Sequence, residues 1–395
     1  MKLLAIHTHP VQYVAPQLRW LAAHTSLEVL YLCRQHAGAP GAKATSAAPD
    51  PGFGQTLCWD QPLLEGYTSG FLCAGGLSAI EGWHGLLWLP AALRWIRRAR
   101  PDAVLLFNHA PLLVAALAGV LPRLGIRVFL RTEVTDAVRL RSPLLALLRD
   151  LGLRWIYRRS TMLFPISSHG RRHLEVRGVP PERICLVNYA PDTGWLEAQR
   201  RHWQPQAARL RQQLGIDPHA PVLLYAGRLA PEKDVLLIPE ALARLPLQEL
   251  QRLHLISVGS GPLEPEWNRR LAALLGARFH PLGFLNQGEI GMAYAMADAL
   301  VLPSRHSETW GLVAHEALAF GCQVLLSDRV GCVADLQALG QPIRLFHAGQ
   351  VAGLVAVLRE WLADPHHTPV EPCADLPDVL DFPRVLLAAL QAGRR

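Results

Sequence analysis

Short apolar runs alternate with longer amphipathic segments along most of the chain. Short buried runs bounded by turn residues are typical of parallel strands, and longer stretches with helical periodicity are typical of the helices that cover a sheet. The pattern therefore predicts an α/β protein built from parallel sheets. The predicted strands are Lys2–His7, Leu27–Cys33, Ala103–Phe107, Arg127–Arg131, Met162–Ile166, Val222–Ala226, His254–Val258, Ala299–Leu302 and Gln323–Ser327.

Helices are predicted between these strands, and two stretches fit neither pattern. The polar stretch from Asp192 to Ala220 contains two prolines and several glutamines, and it predicts a linker between two α/β halves of similar size. The stretch from Ala37 to Gly76 is rich in glycine, proline, alanine and serine, which predicts a long irregular excursion. The predicted helices are Val14–His24, Pro90–Arg100, Pro111–Leu124, His169–Arg177, Leu236–Leu245, Pro265–Leu275, Glu289–Ala297, Gly311–Phe320 and Val351–Ala363.

Composition excludes several classes of protein. The 395 residues carry a net charge of +7 but only 18% are charged, which is typical of a globular protein and not of a basic nucleic-acid-binding tail. Lysine occurs only at Lys2, Lys43 and Lys233, never after a glycine, so the chain has no P-loop. The seven cysteines include no Cys-x-x-Cys pair, and no apolar stretch is long enough to span a bilayer. We therefore expect a cytoplasmic protein, either soluble or peripheral on the inner face of a membrane.

Three predicted strand ends in the second half carry residues suited to an anionic ligand with hydroxyl groups. Ligands of open α/β sheets bind beyond the carboxyl ends of the strands. Glycines let the backbone approach a phosphate, a helix start near Trp310 presents free N–H groups, and Arg228 with Lys233 can pair with a diphosphate. Glu308 and Glu316 can accept hydrogen bonds from hydroxyls. Read singly, each feature also has a plain interpretation as a turn, a helix cap or a solvated surface.

Taken together, these segments resemble glycosyltransferase family 4. The resemblance covers most of the chain from Val222 to about Leu336, and its most specific element is the pair Glu308 and Glu316, separated by seven residues. It implies the GT-B architecture, in which two Rossmann-like domains place parallel sheets on either side of a central cleft. It also implies a transferase that retains the configuration of the sugar carbon. The motifs are Gly227-Arg228-Leu229, Glu232-Lys233, Gly259-Ser260-Gly261-Pro262, Gly283-Phe284-Leu285, Pro303-Ser304 and Glu308-Thr309-Trp310-Gly311-Leu312, followed by Glu316-Ala317 and Gly321.

The resemblance implies a role for each of these positions toward a nucleotide-diphosphate sugar. Arg228 and Lys233, beside Gly227, Gly259 and Gly261, would hold the diphosphate. Glu308 and the amides of Trp310, Gly311 and Leu312 would bind the sugar and the phosphate, and Glu316 would bind the ribose. Phe284 and Leu285 would meet the base, uracil or guanine. No Asp-x-Asp motif occurs in the chain, so we expect no metal and no cofactor besides the donor, and the leaving diphosphate would be stabilised by Arg228, Lys233 and the helix-start amides.

The first half is expected to bind the acceptor, a saccharide or a lipid-linked saccharide. His109 occupies the place of a histidine that the family often has near the reacting centre, and its catalytic role competes with a helix-start or core role. His7 and His9 begin the loop after the first strand, and Glu133 follows another strand end. The predicted domains are residues 1–195 for the acceptor and 196–378 for the donor. Residues 379–395 would form a helix that packs back on the first domain.

The segment Arg139–Arg159 combines leucines with arginines and has two interpretations. A basic amphipathic helix can lie on an anionic membrane, which would suit a lipid-linked acceptor in surface polysaccharide or glycolipid assembly. The alternative is a core helix with solvated arginines. The tryptophans and arginines between Trp83 and Arg100 allow the same two interpretations.

Two other functional classes remain open at this point. A nucleotide-sugar epimerase or a sugar phosphorylase would share the fold, the first working without an acceptor and the second requiring inorganic phosphate. A catalytically silent GT-B module that binds a glycan or a partner protein is the third possibility. The presence of Arg228, Lys233, Glu308 and Glu316 together argues against a silent module.

Overall fold

The computed structural model describes residues 1–34, 62–136, 143–306, 308–364 and 376–392. These residues form two compact units, each built around its own parallel sheet. The first unit contains the described residues up to 189 together with residues 379–392, and the second contains those from 190 to 378. The chain is therefore an α/β protein of two domains, as the alternation of short apolar and longer amphipathic segments predicts.

The first unit contains a six-stranded parallel sheet in the order β3-β2-β1-β4-β5-β6. Its two central strands are wholly or nearly wholly apolar, which is the pattern of strands buried on both faces. The strands are β1 (Lys2–His7), β2 (Ser26–Tyr31), β3 (Thr68–Phe71), β4 (Ala103–Phe107), β5 (Arg127–Thr132) and β6 (Met162–Pro165).

Helices cover both faces of this sheet. Helices α2, α3 and α4 pack on one face through residues such as Ile96, Leu117 and Ile156, and α1 and the C-terminal helix α15 pack on the other. Phe382 of α15 is buried and its ring meets those of Phe107 and Phe164. The helices of this unit are α1 (Ala15–His24), α2 (Leu89–Ala99), α3 (Leu112–Val120), α4 (Pro143–Arg159), α5 (Ser168–Val176) and, after those of the second unit, α15 (Asp381–Ala392).

The second unit repeats this topology with strands β7 to β12 in the order β12-β11-β10-β7-β8-β9. Its first strand, β7, lies between β10 and β8, so the chain builds the sheet outward in both directions from β7. This is the strand order of a doubly wound nucleotide-binding fold. The strands are β7 (Val222–Ala226), β8 (His254–Val258), β9 (Phe279–Gly283), β10 (Ala299–Leu302), β11 (Gln323–Ser327) and β12 (Ile343–Phe346).

The predicted linker from Asp192 to Ala220 is wrong, because most of this stretch is helical and packed. Helix α6 begins after Asp192, whose side chain accepts a hydrogen bond from the Trp195 N–H at 2.8 Å, and Leu196 is buried. Arg211 of α7 forms an ion pair with Asp298 at 2.7 Å. The helices of the second unit are α6 (Thr193–Trp203), α7 (Ala207–Gln213), α8 (Leu237–Leu242), α9 (Leu247–Arg252), α10 (Glu264–Leu275), α11 (Gln287–Met296), α12 (Leu312–Ala319), α13 (Val333–Ala338) and α14 (Val351–Ala363).

The nine predicted strands are all present within two residues at each end, and three further strands were missed. The missed strands are β3, β9 and β12, and each forms an edge of its sheet. Edge strands are less buried and therefore less apolar than central strands, and β9 contains an exposed proline. Strand β3 lies inside the predicted irregular stretch from Ala37 to Gly76, which is wrong at that point; residues 35–61 of this stretch lie outside the described residues.

Candidate active site

The loops after β7 and β10 meet at the point where the second sheet reverses its winding direction. Strands β7 and β10 are parallel neighbours, so both loops leave the same edge of the sheet. In doubly wound sheets the helices that follow two such strands lie on opposite faces, which opens a crevice between the loops. We call this place the switch point. Arg228 and Lys233 follow β7, and Glu308 and Trp310 follow β10.

Lys233 and Glu308 form an ion pair across the switch point. The Lys233 ammonium contacts Oε2 of Glu308, and the same oxygen accepts a hydrogen bond from the Ser304 hydroxyl at 2.9 Å. Both charged side chains are largely shielded, with 16% and 13% of their surface exposed. An ammonium has three donors, so Lys233 can keep Glu308 and still bind an incoming anion.

Arg228 stands beside this pair and is held by its own loop. Its guanidinium lies 3.2 Å from Oε1 of Glu232, and its backbone carbonyl accepts a hydrogen bond from the Tyr225 hydroxyl at 2.7 Å. Burial raises the pKa of Tyr225 well above its ordinary value, and the nearby Glu308 adds to this. Tyr225 is therefore a neutral donor that fixes the backbone from which Arg228 projects.

The glycines after β7 and β8 let two loops touch. Gly259 has a φ of +126°, and a Cβ there would lie 1.9 Å from the carbonyl oxygen of Gly227. A Cβ on Gly261 would lie 2.5 Å from the carbonyl oxygen of Leu229, whose N–H donates to Ser260 O at 2.9 Å. Loop packing alone therefore requires glycine at both positions. That these glycines also let the backbone approach a phosphate stays a prediction.

The start of α12 presents backbone amides at the same edge. Gly311 is its N-cap in a left-handed conformation, with a φ of +96°, and it directs the chain from Trp310 into the helix at Leu312. The N–H of Cys332 donates to Trp310 O at 2.9 Å, which fixes the loop that precedes the helix. The positive end of the helix dipole therefore lies at the end of the loop that carries Glu308, where it favours an anion.

Glu316 lies inside α12 and is almost completely buried, with 4% of its surface exposed. The hydroxyl of Tyr294, on α11, donates to its Oε2 at 2.7 Å. Phe284 and Leu285 follow β9, two strands from β7, and are half-buried. The N–H of Gly259 donates to Gly283 O at 2.7 Å and joins this loop to the glycine loop. The roles of these residues toward a ribose and a base stay predictions.

Sequence reasoning missed three residues that support the charged groups: Ser304 on Glu308, Glu232 on Arg228, and Tyr294 on Glu316. Ser304 and Glu232 belong to the motifs that carry the resemblance, so their positions were available. Tyr294 lies in the preceding helix, 22 residues before Glu316, and no local pattern marks it. Its signal is a buried hydroxyl, which needs a hydrogen-bond partner.

The first unit places His109 at the matching switch point of its own sheet, between β1 and β4. His109 and Thr8 line a cavity of about 800 Å³. The backbone N–H of His109 donates to Oδ1 of Asn108 at 3.1 Å, and Asn108 has a φ of +66°. The structure therefore places the histidine in a cavity of its own unit and not in the apolar core.

His7 and His9 lie beside this cavity region at the end of β1. The Nδ1 atom of His7 accepts a hydrogen bond from the His9 N–H at 3.3 Å, and its ring packs 4.9 Å from that of Phe107. Burial, with a smaller effect from His9, lowers the pKa of His7 to about 3. His7 is therefore neutral at physiological pH and supplies no positive charge for a phosphate.

Glu133 follows β5 and is half-buried. Burial raises its pKa, and the positive charge of Arg131 opposes that shift. Arg131 is itself buried and donates to Val187 O at 2.6 Å and to Asn188 O at 3.3 Å. Arg131 is thus held by backbone carbonyl groups, and its positive charge offsets only part of the effect of burial on the Glu133 carboxyl. A carboxyl group in such surroundings is suited to bind an uncharged hydroxyl.

Two families of glycosyltransferase sequences match the chain, one in each unit. The family of group 1 glycosyl transferases matches residues 206–375, and the glycosyl transferase 4-like domain matches residues 10–190. Together they cover every strand of the two sheets except β1, and they include the switch point. The chain belongs to the group 1, family 4-like glycosyltransferases.

Individual relatives agree with this membership. A D-inositol 3-phosphate glycosyltransferase of Streptomyces coelicolor is 36% identical over 208 residues, which are 48% of this chain and 44% of that protein. A 2-deoxystreptamine glucosyltransferase of Streptomyces kanamyceticus is 29% identical over 336 residues, 80% of this chain and 79% of that one. The chain spans about half the length of the first of these relatives.

The fold of this glycosyltransferase also resembles a solved structure over its whole length. The crystal structure of HepE from Anabaena in complex with UDP superimposes with a TM-score of 0.71 at 16% identity, covering 99% of this chain and 100% of that one. Such a likeness shows the GT-B fold. Within the described residues, no three His, Cys, Asp or Glu side chains are grouped as they would be in a metal site. Nor is any helix there both long and apolar enough to cross a membrane.

Proposed function

We propose that this glycosyltransferase transfers a hexose, with retention of configuration, from a nucleotide-diphosphate sugar to a hydroxyl acceptor without a metal ion. The observation that carries the proposal is the contact of Lys233 with Glu308 at the switch point, beside the start of α12. It brings a cation for the diphosphate and a carboxylate for sugar hydroxyls to one place. The UDP bound to HepE supports UDP as the first nucleotide to test, and GDP as the second.

The chemistry assigned to these residues is electrostatic. Arg228, Lys233 and the helix-start amides would stabilise the diphosphate as the bond between the sugar carbon and the phosphate oxygen breaks. The acceptor oxygen would form its bond to the same carbon on the same face, and its proton would pass to the departing phosphate oxygen. Glu308 would orient the sugar, and the buried Glu316 would accept hydrogen bonds from the ribose.

The acceptor is proposed to bind the first unit near His109, which lines a cavity together with Thr8. The proposed acceptor is a saccharide or a lipid-linked saccharide. With such an acceptor, the enzyme would act in surface polysaccharide or glycolipid assembly on the cytoplasmic face of a membrane. The neutral imidazole of His7 and the partly compensated Glu133 suit an uncharged hydroxyl ligand better than a phosphate.

Release of nucleotide from UDP-glucose and from GDP-mannose, with water as the acceptor and a chelator present, tests the proposal. We expect one donor to be consumed, the first sugar product to keep the donor's anomeric configuration by NMR, and Glu308→Gln to lose turnover. Arg244→Gln, an exposed arginine of the same unit, is the control. An inverted product, or wild-type turnover by Glu308→Gln, would contradict the proposal; a changed nucleotide sugar with no release would indicate an epimerase.

A further inference from the structure

Helix α4 is apolar on two faces, and only one of them is buried in the described structure. Leu153 and Ile156 pack into the core of the first unit. On another face Leu147 and Leu151 are exposed by 57% and 56%. Exposed apolar side chains recur along that face at spacings of three and four residues, as expected for one side of a helix. They are Leu144, Leu147, Leu148, Leu151 and Trp155.

A second exposed apolar element lies across the cavity from α4. The 3₁₀ segment Gly82–Trp88 exposes Trp83 by 64% and Leu87 by 71%. The cavity of about 800 Å³ is lined by both elements, through Gly82 on one side and Leu148 on the other, with Leu112 of α3 between them. We call the exposed leucines of α4, the exposed residues of Gly82–Trp88 and this cavity the apolar surface.

Arginines outnumber acidic residues near the apolar surface, and the lining of the cavity itself contains Arg149 and Glu81. Helix α2, which begins directly after Trp88, exposes Arg94, Arg97 and Arg98 and contains no acidic residue. Helix α4 carries four arginines and one aspartate, Asp150, whose carboxylate is already paired with Arg177 at 2.7 Å. Apolar side chains bordered by uncompensated arginines are the pattern of a helix that lies in the interface of an anionic membrane.

We propose that the apolar surface docks on an anionic lipid bilayer, and that one hydrocarbon chain enters the cavity between α4 and Gly82–Trp88. A second copy of the chain fits less well, because a symmetric contact would bring the same arginines face to face. A flat protein partner would leave the cavity empty, whereas a flexible chain can fill it. The inference rests on the proposed function for one point only: His109 lines the same cavity, so a lipid-borne acceptor would arrive next to it.

Co-sedimentation with vesicles tests this proposal without any nucleotide. The vesicles are phosphatidylcholine alone or an equal mixture of phosphatidylcholine and phosphatidylglycerol. We expect the protein to bind the mixed vesicles and to be released by salt. The variant Leu147→Gln/Leu151→Gln should lower the partition coefficient at least about tenfold, since two exposed leucines lose their place in the hydrocarbon. Val176→Gln/Leu247→Gln removes two equally exposed apolar residues elsewhere and should bind like wild type.

A second pair of variants tests the charges. Arg94→Gln/Arg97→Gln/Arg98→Gln should bind mixed vesicles no better than phosphatidylcholine vesicles, whereas Arg209→Gln/Arg244→Gln/Arg252→Gln, three exposed arginines of the second unit, should behave as wild type. Circular dichroism and thermal unfolding establish that each variant is folded.

Three results would overturn the proposal. The first is equal vesicle binding by the test variants and their controls, and the second is no vesicle binding by wild type. The third is a wild-type mass in solution of twice 43.6 kDa that returns to 43.6 kDa in Leu147→Gln/Leu151→Gln, which would make the apolar surface a dimer interface. If the wild-type protein bound vesicles but no nucleotide, the proposed function would be contradicted, whereas the proposal of membrane docking would still be supported.

Discussion

The ammonium group of Lys233 contacts the carboxylate of Glu308 across the switch point between β7 and β10. Lys233 follows the first strand of the second sheet and Glu308 follows the fourth, so a contact between residues far apart in sequence joins the two walls of the crevice. Because both side chains are mostly shielded from water, removing either one leaves the other charge without its ion-pair partner in a place that water reaches poorly.

We expect the two residues to be energetically coupled. Lys233→Met and Glu308→Gln should each lower the free energy of unfolding by about 1–3 kcal/mol, and the double variant by less than the sum. Urea unfolding of the four proteins gives the coupling. Effects that add to within about 0.3 kcal/mol would show that the contact contributes nothing to stability.

Tyr294→Phe should weaken nucleotide binding although Tyr294 belongs to none of the motifs. Its hydroxyl donates to the buried carboxylate of Glu316 at 2.7 Å, so its loss should cost about 1–3 kcal/mol of stability and lower UDP affinity several-fold. Isothermal titration calorimetry measures the affinity. Tyr13→Phe, in the first unit, is the control, and unchanged UDP affinity in Tyr294→Phe would separate Glu316 from the nucleotide.

Gly259→Ala should be far more damaging than an alanine at another glycine with positive φ. The new Cβ would lie 1.9 Å from the Gly227 carbonyl oxygen and force the loops after β7 and β8 apart. We expect a loss of about 3 kcal/mol or more, together with weaker nucleotide binding. Gly125→Ala, with a φ of +74°, a ψ of 12° and no atom near the new Cβ, should cost about 1 kcal/mol. Equal losses in urea unfolding would contradict the loop contact.

His7 makes the first unit sensitive to acid. Its folded-state pKa of about 3 is below the ordinary value of 6.5, so below pH 6.5 the unfolded chain binds a proton that the folded chain does not. Stability is therefore lost as the pH falls from 6.5 toward 3. At about pH 5 the loss from His7 should be about 2 kcal/mol.

His7→Asn should shrink the difference in unfolding free energy between about pH 6.5 and pH 5 by about 1.6 kcal/mol, because the unfolded histidine is already half protonated at pH 6.5. His219→Asn, at an exposed histidine, should leave the difference as in wild type. An unchanged difference in His7→Asn would show that His7 is protonated in the folded protein at about pH 5.

Much of the fold could be predicted from the pattern of apolar residues. The central strands are short and mainly apolar, because they are buried on both faces, and all of them were found. The edge strands β3, β9 and β12 escaped because half-exposed strands carry polar residues and prolines. Helices α6 and α7 escaped because both are mostly polar: α6 buries Leu196 alone, and α7 buries no residue.

In the candidate site, too, the residues that lie in local sequence motifs could be predicted, and the contacts between distant segments could not. Arg228, Lys233, Glu308 and Glu316 could be named as candidates because they lie in short motifs that follow predicted strands. Tyr294 was not, since its link to Glu316 exists only in three dimensions. The packing role of Gly259 could not be predicted either, because it depends on a carbonyl group of another loop.

Thermal unfolding against UDP and GDP, each with chelator, tests the central claim most directly. A ligand at about 100 times its dissociation constant stabilises by roughly 2.7 kcal/mol, which raises the Tm by about 2–4 °C per kcal/mol for a protein of this size. We predict such a shift with one nucleotide for wild type and for Arg244→Met, and its loss in Lys233→Met and Glu316→Ala. No shift with either nucleotide, or an equal shift in all four proteins, would contradict a donor site at the switch point.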